Sequence, residues 1–201
     1  CLLLACGIGD VIGKPFILCV CLTLWAGGYM EKWQQEKDAC GKWMYARMLY
    51  HSGGYKAANE AYEKLYPVLR GRGAFLFEYG HSLHKSFLYG DSNKYLEEAC
   101  RYSSDPMVLN VMGKNYQEQH CYEQAEKFFY RAIHRLPGRI YPYYLLANLY
   151  AEPDFYKPDK LKEAADSVLT KEPKVHSTAI DEMRSEVREI LKRKDKCEIK
   201  K

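Results

Sequence analysis

The clearest hydrophobic pattern of the chain lies in residues 106–139, where apolar side chains recur at spacings of three and four. This spacing predicts two helices whose apolar faces meet, because residues three and four apart share one face of a helix. The first stripe comprises Leu109, Met112, Gly113 and Tyr116, and the second comprises Ala125, Phe129 and Ala132. Gly113 and Ala125 are small, so we expect the two helices to approach closely there.

Both helices carry signals at their ends. Asp105 can cap the first helix with Pro106 at its first position, and Pro137-Gly138 ends the second. Measured from Pro106, the offsets of the apolar residues resemble those of the tetratricopeptide repeat, a helix–turn–helix unit of about 34 residues. The resemblance implies an all-α solenoid, because one helix pair cannot bury both of its apolar faces and needs neighbouring pairs.

Weaker copies of the pattern flank this unit. We therefore expect a solenoid over residues 39–176 with four repeats, at 39–72, 73–105, 106–139 and 140–173. In the first repeat, Tyr45 and Ala46 occupy the inward positions of the first helix. In the second, Gly90-Asp91 predicts the turn, and the second helix follows over residues 93–102.

An amphipathic stretch follows the repeats over residues 177–194, and residues 195–201 form a charged tail that we expect to fray. The apolar face of the stretch comprises Ile180, Met183, Val187, Ile190 and Leu191. A helix of this kind can close the end of a solenoid, because it covers the apolar surface of the last repeat and presents charges to water.

Residues 1–30 are the most apolar part of the chain, and residues 31–38 predict a polar linker to the first repeat. Phe16–Met30 contains no charge, and counting from Val11 gives the length of about 20 residues that crosses a bilayer, at the cost of including Lys14. We therefore expect a transmembrane helix. A signal-peptide core and a buried helix of a globular domain are the alternatives.

Composition argues against several function classes. The chain has 201 residues and a net charge of +4, without the basic stripe of a nucleic-acid binder, so we expect no nucleic-acid partner. Its eight cysteines form no CxxC pair, which argues against a zinc site or a disulfide framework. No hydrolase, P-loop or zinc-protease motif occurs, so we predict no catalytic residue, cofactor or metal. The chain begins with Cys1, and we interpret it as a piece of a longer protein or as a processed one.

The tetratricopeptide resemblance also implies that the first helices line a concave groove that binds a peptide or a partner protein. The side chains expected to face this groove are Trp43, Arg47, Tyr50, Phe77, His81, His84, Asn110, Lys114, Gln117, Tyr144 and Asn148. The row of Arg47, His81, Lys114 and Asn148 recurs at one offset and predicts cationic and amide donors for acidic groups, bordered by aromatic side chains. The alternative is that these residues are ordinary solvated side chains or contact the N-terminal flank.

A narrower resemblance concerns residues 139–147 and 169–175, together with the apolar span before the repeats. These segments resemble the C-terminal end of bacterial O-antigen ligase or polymerase-like membrane proteins. The resemblance implies an accessory region of a glycosyl-transferring enzyme whose catalytic spans lie outside this chain. Our main hypothesis is a membrane-tethered interaction domain that is non-catalytic in itself and lies at the bacterial inner membrane. The sequence does not determine which side of this membrane the repeats face. A soluble scaffold or secretion factor with a cleaved leader is a third hypothesis.

Overall fold

Nine α-helices and one short 3₁₀-helix make up the regular structure of the computed structural model, which describes residues 13–173 and 175–198. No strand occurs in these residues, so the described chain is all-α. The helices are α1 (Gly13–His51), α2 (Tyr55–Leu69), α3 (Gly73–Lys85), α4 (Tyr89–Ala99), α5 (Pro106–Glu118), α6 (Tyr122–Arg135), α7 (Tyr141–Ala151), the 3₁₀-helix Pro153–Phe155, α8 (Pro158–Thr170) and α9 (Thr178–Glu198).

The first eight α-helices pack as four successive pairs, α1 with α2, α3 with α4, α5 with α6 and α7 with α8. Each pair contacts the next through α2 and α3, α4 and α5, and α6 and α7. The first helices of neighbouring pairs also touch, α1 with α3, α3 with α5 and α5 with α7. Contacts that link only neighbouring pairs make the architecture a helical-hairpin solenoid.

The third pair packs as closely as its sequence predicts. The stripe residues Leu109, Met112, Ala125, Phe129 and Ala132 are all buried, at 1 % exposure or less. A Cβ atom on Gly113 would lie 2.3 Å from Cε1 of Phe129, so a larger residue there would collide with the ring. At the start of α5, Oδ1 of Asp105 accepts a hydrogen bond of 2.9 Å from the backbone N–H of Met107, which caps the helix.

The turn between the two helices of the second pair lies earlier in the chain than the predicted position at Gly90 and Asp91. Helix α4 starts at Tyr89 and ends at Ala99, so Gly90 and Asp91 lie inside the helix and the turn expected there is wrong. The turn is formed instead at Phe87, which adopts a left-handed φ of 62°. Backbone N–H groups after α3 donate to its last carbonyl groups, including Leu88 N to Leu83 O at 3.0 Å, and these bonds hold the turn without a glycine.

The N-terminal helix includes the residues that were expected to form a linker. Helix α1 runs unbroken from Gly13 to His51, so residues 31–38 are helical. Neither Gly nor Pro interrupts these residues, and the Gln34 side chain donates to Asp38 across one turn at 2.9 Å. Among the residues that the structure describes, no helix combines the length and hydrophobicity of a membrane crossing. Residues 1–12 of the apolar leader lie outside the described ranges.

The first repeat is less covered than the others. Tyr45, expected to point inward, is 58 % exposed, whereas its neighbour Ala46 is fully buried. Helix α5 is packed against the pair before it through α4, but the described residues place no helix pair before α1.

The last helix covers the end of the fourth pair. Helix α9 packs against α7 and α8, and Val187 on its apolar face is fully buried. Its Arg184 side chain donates to the backbone carbonyl groups of Val168 and Lys171, at 3.2 and 2.7 Å, where α8 ends. The helix continues to Glu198, further than the tail expected from residue 195, because no Gly or Pro stops it there.

Candidate functional site

The side chains predicted to face the groove lie on α1, α3, α5 and α7, and we call the surface that they share the inner face. The structure brings four of them, Lys114, Gln117, Tyr144 and Asn148, to one open depression of about 590 Å³ between α5 and α7. Tyr141, Leu145 and two carboxylates, Glu118 and Glu152, line the same depression.

Four aromatic side chains of the inner face form a continuous ladder between the first and second repeats. The Tyr50 hydroxyl and Nδ1 of His81 share a hydrogen bond. The His81 ring stacks on Phe77 on one side and on His84 on the other, with ring centroids 5.8 and 5.7 Å apart. The structure therefore brings Tyr50, Phe77, His81 and His84 together, and these side chains contact one another.

A carboxylate that the sequence analysis missed, Glu78, organises the end of the inner face at α1. Its Oε1 lies 3.0 Å from Nε of Arg47, and its Oε2 accepts a hydrogen bond of 2.7 Å from the indole N–H of Trp43. Glu78 is the single acidic residue of α3, and this was the sequence feature that could have indicated its role. Because Glu78 neutralises Arg47, this arginine does not offer a free positive charge to a ligand.

The two histidines are neutral at physiological pH, which corrects the predicted cationic row further. Burial, with smaller contributions from the positive charges around it, lowers the pKa of His81 to about 4. Burial also lowers the pKa of His84, although the hydrogen bond with Asn115 acts in the opposite direction. Neither ring therefore carries a charge for an acidic partner.

His84 belongs to a buried polar network rather than to an open groove. Nδ2 of Asn115 donates to Ser92 Oγ at 2.8 Å and to Asn93 Oδ1 at 2.7 Å. Oδ1 of Asn115 is then the acceptor for the Nδ1–H of His84 at 2.6 Å, which sets the tautomer of the ring. The network joins α3, α4 and α5, and it leaves little of His84 exposed.

Lys114 lies in a depression that two carboxylates, Glu118 and Glu152, also line. Its side chain is half-buried, and burial and the neighbouring Lys85 lower its pKa, whereas Glu118 raises it. Within the described part of the chain, the Lys114 ammonium forms no ion pair. An ammonium in this setting is poorly hydrated and repelled by a like charge, so an incoming carboxylate would relieve both effects.

The remaining predicted side chains differ in their availability. Asn110 is only 2 % exposed, so it does not offer its amide to a ligand as expected. Gln117 donates to Glu152 at 3.1 Å, and the Tyr144 hydroxyl donates to Glu186 of α9. Asn148 lines the depression beside Lys114 and completes its polar wall.

Solved structures share this arrangement of helices. MamA from Desulfovibrio magneticus RS-1 is similar with a TM-score of 0.57 and 17 % identity, over 74 % of this chain and 76 % of the other. YrrB, a TPR protein with an unusual peptide-binding site, is similar with a TM-score of 0.60 and 17 % identity, over 78 % and 74 % of the two chains. The fold is a tetratricopeptide-repeat solenoid.

Other comparisons place this solenoid among diverse proteins. PilF of Pseudomonas aeruginosa is similar with a TM-score of 0.59 and 16 % identity, over 84 % of this chain and 82 % of the other. No protein-family profile and no curated protein matches the sequence of this solenoid. At identities this low, the likeness shows the fold alone, and the resemblance to O-antigen ligases stays a prediction from sequence.

Proposed function

We propose that the inner face binds a protein or peptide segment that brings one acidic group to Lys114 and apolar side chains to the neighbouring aromatic residues. The observation that carries the proposal is the half-buried ammonium of Lys114, which lies in an open depression and forms no ion pair with a described residue. A partner carboxylate placed there gains from partial exclusion of water, because charge pairs are stronger where solvent screening is weaker.

Apolar and aromatic groups lie on both sides of this cation. Tyr141, Tyr144 and Leu145 line the same depression on α7, and the rings of Phe77 and His81 lie on α3. Aromatic side chains bury much area at a low entropy cost, which is why they dominate the energetics of many interfaces. The proposed ligand therefore has a single acidic residue flanked by apolar residues, rather than the multiply acidic ligand that a full cationic row would take.

The peptide-binding site of YrrB, a protein of the same fold, supports a peptide as the class of ligand. The individual contacts are not taken from YrrB. They are proposed from the positions of Lys114, Tyr141 and Tyr144 in this chain.

Substitution of Lys114 tests this proposal. Peptides selected from a random library by the wild-type chain should contain Asp or Glu next to apolar residues. Lys114→Glu should then raise the dissociation constant of the best peptide about tenfold or more, because it replaces an attraction by a repulsion. Fluorescence anisotropy with the labelled peptide measures this change.

Lys64→Glu is the matched control. Lys64 is exposed on α2, so this substitution makes the same change of charge away from the inner face. The control should leave the dissociation constant within about twofold of wild type. Selected peptides without acidic residues, or equal effects of the two variants, would contradict the proposed role of Lys114.

We also infer that residues 1–30 tether the solenoid to a membrane, at the inner membrane of a bacterium. The uncharged run Phe16–Met30 supports this inference. The full chain should float with phospholipid vesicles in a density gradient, and a Val20→Asp, Leu22→Asp double variant should stay at the bottom, since charge in an apolar run opposes insertion. If the wild-type chain also stays at the bottom of the gradient, the inferred membrane tether is contradicted.

A further inference from the structure

A second depression lies where the loop between α4 and α5 meets the end of α6. Its volume is about 590 Å³, and none of its lining residues belongs to the first helices of the repeats. Arg101, Ser103 and Ser104 line it from the loop, and Arg135 lines it from the last turn of α6. The site is therefore separate from the inner face. A proposal about this site does not depend on the function proposed above.

Arg135 carries an unused hydrogen-bond donor at this depression. Its Nη1 is buried and has no hydrogen-bond partner among the described residues. A buried donor is normally paired, because a donor removed from water without an acceptor is unfavourable. The Arg135 side chain as a whole is partly exposed, and it also forms a hydrogen bond with the thiol of Cys100. Arg135 thus has hydrogen-bonding capacity that its described neighbours do not use.

The residues that line this depression include two arginines and no carboxylate. Within the described ranges, neither Arg101 nor Arg135 forms an ion pair. Burial raises the pKa of the neighbouring Cys100 thiol, Arg135 and Arg131 lower it, and Glu97 raises it. The guanidinium of Arg131 lies 5.0 Å from the ring centroid of Phe128. Two guanidinium groups that line one depression without a carboxylate favour an anion there.

The hydroxyl groups of the loop add neutral donors. Ser103 Oγ accepts the backbone N–H of Asp105 at 3.2 Å, which leaves its own O–H free to donate. Ser104 lines the depression beside it. Donors on two sides of an open space suit an anion with several oxygens, and guanidinium groups match the geometry of phosphate oxygens in particular.

We propose that the depression between the α4–α5 loop and the end of α6 binds a phosphate group through Arg101, Arg135 and the two serine hydroxyls. The phosphate can be a free ion or the phosphomonoester of a phosphorylated peptide, since both present the same oxygens. A dianion would balance the two arginine charges that line the site.

The test uses the full 201-residue chain and follows its backbone amide signals by NMR at constant ionic strength. Three probes are compared: inorganic phosphate, a short phosphoserine peptide, and the same peptide without phosphate. The signals of residues 101–104 and 135–136 should shift on adding phosphate or phosphopeptide and stay in place with the unmodified peptide. A phosphopeptide that binds at least tenfold tighter than phosphate identifies the peptide as the source, and equal affinity identifies the free ion.

Arg135→Gln and Arg101→Gln should each weaken this binding at least tenfold, because each removes one of the two charges. Arg188→Gln, at an exposed position of α9, is the matched control and should leave binding unchanged. Arg101 is exposed, so its variant remains informative if the Arg135 variant is unstable. Absent shifts at residues 101–104, or equal affinities for the three variants, would overturn the proposal.

Discussion

Ala125→Arg is expected to unfold the third helix pair. Ala125 is fully buried where α6 faces α5, and the neighbouring Phe129 is fully buried as well. An arginine there must either bury its guanidinium group without a partner or push the helices apart. The free energy of unfolding should fall by about 3 kcal/mol or more. Urea denaturation followed by far-UV circular dichroism measures this loss.

Gln124→Arg provides the matched control, since Gln124 is the preceding residue of α6 and is exposed. It introduces the same side chain on the solvent side of the same helix, and it should change stability by less than about 0.5 kcal/mol. Denaturation curves that coincide for Ala125→Arg and wild type would show that the two stripes of residues 106–139 do not face each other.

Gly113→Ala should destabilise the chain by about 2 kcal/mol, although alanine is the better helix former. The added Cβ atom would lie 2.3 and 2.6 Å from two carbon atoms of the Phe129 ring, so the ring or the helix must move. Chemical denaturation under the same conditions gives the size of the effect.

Gly41→Ala is the opposite case and serves as the control. Gly41 lies in the middle of α1, and a Cβ atom there would meet nothing within 4 Å. This substitution should therefore raise stability by about 0.5–1 kcal/mol through helix propensity alone. If both glycine variants stabilise the chain, α5 and α6 are not in the close contact described here.

Much of the fold could be predicted from sequence because it depends on local periodicity. The stripes of Leu109 and Phe129 fall at helical spacings, and small residues mark the points where two helices approach. The turn at Phe87 could not be predicted in the same way. A left-handed residue is usually glycine, and here the backbone hydrogen bonds after α3 hold a phenylalanine in that conformation.

The candidate site was less predictable, because its charges depend on contacts between repeats. Residue spacing placed Arg47, His81 and Lys114 in one row, and it did not indicate that Glu78 would neutralise Arg47. It also did not indicate that burial would keep His81 uncharged. Only the three-dimensional neighbours of each group decide its charge, so the three residues are not the equivalent cations that their spacing predicted.

The central claim is that a partner binds on the first helices of the repeats. Mapping the backbone amide shifts of the full chain on addition of a library-selected peptide tests this claim most directly. We expect the shifted signals to cluster on α5 and α7 around Lys114, Gln117 and Asn148, and to extend onto α3. Shifts confined to α2, α4, α6 or α8, with the signals around Lys114 unchanged, would contradict the claim.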